Sequence, residues 1–452
     1  MNQWKFSDTF VIGLMMFSIF FGAGNLIFPA ALGQAAGHNV VPAIAGFLLT
    51  GIGLPFLGIV AIALQGGRYT EFISDKVHPK FAIILLSILY LTIGPLFAVP
   101  RTGAVSFEIG IRPFLGEDNV ILGQAVYTGI FFLLTYILAL NPSKLVGRIG
   151  KLLTPILLTF LAVLFSRAFS SPLGDIMTAT GPYIEAPFAQ GFQDGYLTMD
   201  LLASLAVGSL VVNAIRIKGV KDQLKISRIC ITGGLLAVSF MAVIYISLAY
   251  IGATSASVLG HSENGGALLA ESAKLFFGTS GSIILAVIIA FACLTTSCGM
   301  VSACSWFFNK TTNQRVSYDR IVLYSSIFAF VFSNVGLTEL ISISVPFLVA
   351  IYPNVIVLVL ISLFARFIGN RKSVYRCAIA CVIPFCILDG LHAAGFRLHT
   401  LDTLLGQYIP FYEIMLGWFM PALIGILIGY LLSHSAKDNK VPSIRMKDLF
   451  EK

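Results

Sequence analysis

With 452 residues, 57% of them hydrophobic and only 11% charged, and a mean hydropathy of +0.90, the chain is too apolar for a water-soluble domain with a polar shell. Its net charge of +8 has no soluble basic face with interleaved aromatics to serve. That excludes a nucleic-acid binder and leaves membrane topology as the reason for the excess Lys and Arg. The composition describes an all-α polytopic membrane protein.

A crossing takes about 20 apolar residues, and twelve stretches between charge clusters qualify. They run over 9–36, 40–64, 81–110, 121–140, 149–169, 199–217, 229–252, 279–308, 321–336, 338–364, 375–393 and 411–433. An even number puts both termini on one side. With the N-terminus inside, every Lys and Arg except Arg101, Arg112, Arg167, Lys274 and Arg397 falls on the cytoplasmic side. The positive-inside rule therefore predicts cytoplasmic termini in a cell inner membrane, with 434–452 as a cytoplasmic tail. One transmembrane unit fills 1–452. The first apolar run is too long for a signal-peptide core and begins at Asp8, so it is expected to be retained as a span.

The first span carries Gly22-Ala23-Gly24-Asn25-Leu26-Ile27-Phe28-Pro29 at mid-depth. Helix breakers are tolerated there only where the freed N–H and C=O groups are buried in protein or face a cavity, so a discontinuous helix at a binding site is expected. The half-helix beginning near Asn25 offers the positive end of its dipole to a carboxylate. Carbonyls near Ser18 to Phe21 lose their intrahelical partners and suit a cation. In the third span, Pro95 and Pro100 are candidate kinks, as are Pro346 and Pro353 in the tenth. Small and polar residues interrupt the sixth span through Ser204, Ala206, Gly208 and Ser209, a second candidate break within Leu201–Asn213. In the eighth, Cys293, Thr296 and Ser297 share one helical face, and the two hydroxyls can ligate a hard cation. Phe97 and Val301 are candidate lining residues from their spacing.

Breaks in spans one and six, five spans apart, enter the membrane from opposite sides. That separation predicts an inverted pair of five-helix repeats, 1–169 and 199–364, with two additional helices in 375–433. The seven cysteines lie inside or at the ends of spans without metal-ligand spacing and read as buried free thiols. Glu108, Glu339, Asp389 and Glu413 lie close to outer ends, which gives little support to a carboxylate relay. No charge is expected near the site. A dry apolar pocket would then reject polar side chains and separate aliphatic ones by only about 1–3 kcal/mol per methylene.

Gly22-Ala23-Gly24-Asn25 followed by Phe28-Pro29 resembles the unwound first helix of LeuT-fold transporters of the amino acid-polyamine-organocation superfamily. The stretch from Gly24 to Pro29 is one residue shorter than its LeuT counterpart. The opening segment and the twelve-span layout together resemble the branched-chain amino acid:cation symporter family, the BrnQ type of bacterial carrier. That resemblance implies import of leucine, isoleucine and valine by alternating access, with sodium as the coupling ion, no cofactor, and a proton-coupled symporter or an exchanger as the alternative. It implies that Gly22, Ala23, Gly24 and Asn25 meet the carboxylate, and that groups around Ser204, Ala206, Gly208 and Ser209 take the ammonium. Thr296 and Ser297, with main-chain oxygens of Ser18 and Phe21, would hold sodium. A proton-coupled relative places a basic side chain there, for which Lys151 is the nearest candidate. The implied partners are a small amino acid, a monovalent cation and the lipid bilayer. No zincin helix, paired intramembrane aspartates, filter repeat or output domain points to an enzyme, a channel or a sensor.

Overall fold

The computed structural model describes residues 6–141, 145–368 and 371–435 and is helical, with no strand among the described residues. In chain order the α-helices are α1 Phe6–Phe20, α2 Ala23–Ala36, α3 Val40–Leu48, α4 Leu54–Leu64, α5 Tyr69–Lys76, α6 Pro79–Leu91, α7 Ala98–Gly110, α8 Val120–Leu140, α9 Leu145–Ser170, α10 Pro187–Asp194, α11 Asp200–Ile217, α12 Gln223–Leu259, α13 Gly265–Thr311, α14 Tyr318–Ser333, α15 Leu337–Ile368, α16 Lys372–Ala393, α17 His399–Tyr408 and α18 Phe419–Ser435. Among the described residues, eight helices are long and apolar enough to cross a membrane, by length and composition, with α3 and α4 continuing α2 and α7 continuing α6. Shorter apolar helices cover Ser7–Ser18, Pro155–Ser170 and Phe419–Ser433. Exposed Leu, Ile and Val side chains on α8, such as Ile121 at 85%, form faces suited to hydrocarbon. Lys144 and the tail from 436 lie outside the described residues, as does the side chain of Lys151.

Local chemistry sets the interruptions. Between α1 and α2, Gly22 is extended (φ −126°, ψ −170°). Its N–H, which an unbroken helix would give to the Ser18 carbonyl, donates instead to Asn25 Oδ1 at 3.0 Å. This is the backward half of a capping box, with Asn25 at the third helical position. Pro29 has no N–H for the Asn25 carbonyl, a further loosening of the same turn. The second break lies elsewhere than the composition of the sixth span predicts. Leu201–Asn213 is unbroken helix, and the interruption falls ahead of it, where Met199 adopts the left-handed conformation (φ 61°, ψ 13°) between a 3₁₀ turn, Gly195–Thr198, and α11. Two π-helical turns, Leu49–Gly53 and Thr92–Leu96, interrupt the α3–α4 and α6–α7 spans. Gly278 (φ 65°) bends α13, and Gly336 (φ 105°) separates α14 from α15. The last predicted span is helical only from Phe419; residues 409–418 are turns, with Phe411 and Met415 at positive φ.

Four contacts hold the two broken spans in place: α1 and α2 pack on α12, α10 packs on α3, and α11 packs on α4. Each crossing uses glycine to bring backbones together. A Cβ at Gly33 would lie 1.9 Å from the Ala249 carbonyl oxygen, one at Gly13 2.9 Å from that of Gly233, one at Gly191 1.9 Å from that of Ala43, and one at Gly208 2.6 Å from Ile62 Cδ1. Helices α7 and α13 form the central pair, α8 packs on α14, α9 on α13 and α15 on α7, while α16 and α18 pair beside α15. All seven cysteines are free, five of them buried.

Candidate functional site

The two breaks meet. A cavity of about 30 Å³ is lined by Phe20, Gly22, Ala23, Gly24 and Asn25 at the first interruption and by Thr198, Met199, Asp200 and Ala203 at the second. Ile93, Ala98, Arg101 and Thr102 close it from the α6–α7 span, and Thr296 and Met300 from α13. The space admits a water or two, far less than a branched amino acid fills. Occupancy by an amino acid therefore requires the half-helices or side chains to move apart.

The expected glycines and Asn25 of the first break line this cavity, as does Thr296. The structure adds two charged groups. Asp200, 3% exposed at the first turn of α11, accepts from Asn25 Nδ2 at 2.5 Å and from the Tyr245 hydroxyl at 3.2 Å. Asn25 Nδ2 also contacts that hydroxyl. The Asp200 backbone N–H donates to Thr198 Oγ1, 3.3 Å away. Arg101, 4% exposed, donates from Nη1 to the Leu197 carbonyl at 2.6 Å and lies over the Phe28 ring, 4.9 Å from its centroid. Its Nε has no hydrogen-bond partner among the described residues. The Arg101 and Asp200 side chains do not form an ion pair there.

This corrects the expectation of an uncharged site and the placement of Arg101 among the outer-loop charges. Burying either charge alone is costly, so each needs a compensating partner or ligand charge. Two opposite charges in one cavity, together with the first-turn N–H groups of α2 at Ala23 and Gly24, suit a zwitterion. The carboxylate would face Arg101 and the α2 N-terminus, and the ammonium would face Asp200. Phe20, Ile93, Ala98, Ala203 and Met300 leave an apolar remainder for a side chain.

Other expected residues lie away from the cavity lining. The Ser204 hydroxyl turns back to the Leu201 carbonyl (2.7 Å) and packs where a Cβ of Gly58 on α4 would be. The Ala206 carbonyl accepts from the Tyr90 hydroxyl at 3.3 Å, Gly208 rests on Ile62, and Ser209 is half-buried beside Gly67. The small residues of α11 thus serve its crossing with α4. Phe97 packs at a tilt against Phe347 of α15, and its neighbour Ala98 lines the cavity instead; Val301 is fully buried and its neighbour Met300 lines it.

Of the expected sodium ligands, Thr296 stands beside the first break: a Cβ at Gly22 would lie 3.7 Å from its Oγ1, which also donates to the Ala292 carbonyl at 3.0 Å. Ser297 instead faces Thr135 of α8 at 3.1 Å. Cys293 is buried, Phe21 stacks on Phe17, and the Ser18 residue is exposed.

Arg101, Asp200 and Tyr245 are the functional residues that the sequence reading missed. Arg101 directly follows Pro100 inside an apolar span, and Asp200 begins one; both positions were signals. Tyr245, within the long apolar α12, carried none.

A model of the family described as "Branched-chain amino acid transport protein" matches residues 5–436. The branched-chain amino acid permease BraB of Bacillus subtilis is 47% identical over 429 residues, covering 94% of this chain and 95% of the relative. The permease BrnQ of the same organism is 42% identical over 423 residues, covering 94% and 96%. The branched-chain amino acid transport system 2 carrier protein of Pseudomonas aeruginosa is 42% identical over 432 residues, covering 95% and 97%. Among solved structures, Mhp1, a nucleobase-cation-symport-1 family transporter in a closed conformation with bromovinylhydantoin bound, superposes with a TM-score of 0.60 at 13% identity. It covers 97% of this chain and 94% of its own, a likeness of fold alone. The chain belongs to the branched-chain amino acid transport protein family and is a multi-pass membrane transport protein, not an enzyme, on a LeuT-like helical fold.

Proposed function

We propose that the chain imports leucine, isoleucine and valine by symport with sodium across the cell inner membrane, working by alternating access around the cavity between the two broken spans. One observation carries this reading: Arg101, Asp200 and the N-terminus of α2 gather at a cavity that Phe20, Ile93, Ala98, Ala203 and Met300 line with apolar surface. The charges select the zwitterionic head common to amino acids, and the apolar walls select an aliphatic side chain. Ionised side chains are refused because no further charged group lines the cavity to pair with them.

The architecture in this reading is twelve spans with both termini cytoplasmic, ten of them in two inverted five-helix repeats and two outside that core. The packing supports it. Exchanging the halves maps α1 on α12 to α10 on α3, and α2 on α12 to α11 on α4. It likewise maps α9 on α13 to α15 on α7, and returns the α7–α13 and α8–α14 pairs to themselves. Sodium would sit beside Thr296 and the main-chain oxygens freed at the first break, with Ser297 a step further round, toward α8. Thr296 beside Gly22 supports this placement.

Labelled leucine uptake into proteoliposomes, with sodium and pH gradients imposed separately, tests the proposal. An inward sodium gradient at equal pH is expected to drive accumulation that isoleucine and valine, but not lysine or glutamate, inhibit. Accumulation indifferent to sodium, or equal inhibition by lysine, contradicts it.

A further inference from the structure

Asp389 on α16 is fully buried, and neither of its carboxylate oxygens has a hydrogen-bond partner among the described residues. Nothing in the cavity between the broken spans uses it. An unpaired carboxylate in such a place costs several kcal/mol, so the group is held there as the neutral acid or with its charge compensated by a bound cation. Its surroundings are polar but incomplete. The Tyr196 and Tyr352 hydroxyls, Asn354 Oδ1 and Trp418 Nε1 are likewise buried without partners among the described residues.

The two tyrosines connect Asp389 with the substrate cavity. Tyr196, in the turn ahead of α11, is within electrostatic reach of Asp389 and stacks on Tyr352 of α15 with ring centroids 4.4 Å apart. Tyr352 in turn is within reach of Asp200 and Arg101 at the substrate cavity. The other titratable groups facing Asp389 are Cys386 on its own helix and Tyr412 from the turns between α17 and α18. His392, one turn further along α16, is engaged with Asp402 at 2.7 Å. From α15 the neighbouring polar group is the neutral Asn354, and α5 touches α16 at its opposite end, where Lys76 lies over the Tyr375 ring.

The turns over 409–418 cover this cluster with Tyr412 and Trp418, both 5% exposed. They are tied to α10, the short helix ahead of the second break, by Gln193 Nε2 donating to the Ile414 carbonyl at 2.5 Å. Movement of α10 therefore moves the cover over Asp389.

We infer that Asp389 is a proton-binding site, loaded from the outer water when α10 draws the 409–418 cover aside and emptied toward the cytoplasm later in the same cycle, so that one proton enters with each substrate. The step is a protonation of the carboxylate by water-borne H⁺ and its reversal; no other bond changes. A proton fits better than a metal ion because the Trp418 indole N–H, a donor only, stands beside Tyr196 in the same cluster and would oppose a metal cation. The inference rests on the transport reading above, with the proton added to sodium.

Sodium-driven leucine accumulation in proteoliposomes is measured with and without an outside-acid pH gradient, beside gradient-free leucine counterflow. One proton per leucine raises the accumulation limit by about tenfold for each pH unit imposed. Asp389→Asn keeps the shape but binds no proton; it is expected to lose that increment while keeping counterflow and the sodium-driven component. Tyr196→Phe keeps the ring on Tyr352 and is expected to lose most of the increment, and it decides the matter should Asp389→Asn fail to fold. A wild type without the increment, variants that keep it, or an Asp389→Asn protein whose sodium requirement falls instead would overturn the proton assignment. Absence of counterflow in the wild type would instead remove the transport reading itself.

Discussion

Replacing Asp200 by Ala is expected to lower the efficiency of leucine uptake by about a hundredfold or more, since removing one partner from a buried charged set costs about 3–5 kcal/mol and each 1.4 kcal/mol is a factor of ten. The carboxylate holds Asn25 Nδ2 and the Tyr245 hydroxyl, and through them the geometry of the first break. It is also the negative group available to a substrate ammonium in the cavity. Loss of the side chain therefore removes a substrate contact and loosens the α2 N-terminus at the same time. Initial uptake rates normalised to reconstituted protein provide the check. Asp200→Asn, which keeps the shape without the charge, separates the two contributions: it should retain expression and thermal stability close to wild type yet stay impaired in uptake. An Asp200→Ala protein within threefold of wild type would remove Asp200 from the site.

The second large effect belongs to Gly24. A Cβ there would lie 2.8 Å from Arg101 Nη2, 3.1 Å from Phe28 Cε2 and 3.2 Å from Arg101 Cζ. The guanidinium cannot simply swing away, because Nη1 is held by the Leu197 carbonyl and the plane rests on Phe28. Even Gly24→Ala must therefore displace the positive group from where the carboxylate is to be held, and a bidentate carboxylate contact tolerates little misplacement. We expect Gly24→Ala to raise the leucine KM by about tenfold, the worth of one ordinary charge-assisted hydrogen bond, and Gly24→Leu to abolish uptake by filling the cavity. Gly299→Ala is the control, since a Cβ there meets nothing within 4 Å. Equal behaviour of the Gly24 and Gly299 variants would contradict the assignment.

What the sequence disclosed follows from how each feature is encoded. The first break was legible because Gly22, Gly24, Asn25 and Pro29 each carry a backbone cost that only a discontinuity at depth explains. The second was legible as to span but not as to position. Glycine and serine in a membrane helix serve close packing as readily as unwinding, and Ser204 and Gly208 serve the crossing with α4. The interruption sits at Met199, a residue with no breaking tendency of its own, and is imposed by its surroundings. Arg101 was misplaced because topology and function use the same residue type, and a charge counted toward loop bias is not asked what it touches. Phe97 and Val301 were each one residue from a wall of the cavity. At Phe97 the helical period is lost because the π turn and the non-helical Gly94 reset the phase just before it. Tyr245 and Tyr196 became visible only through tertiary packing.

The most direct test of recognition by the zwitterionic head is competition for labelled leucine binding to the purified protein. Isoleucine and valine should displace leucine, whereas 4-methylpentanoate, which lacks the ammonium, and 3-methylbutylamine, which lacks the carboxylate, should fail even in large excess. If either analogue displaced leucine as well as valine does, Arg101 and Asp200 would not be holding the two ends of the substrate, and the cavity between the broken spans would not be its binding site.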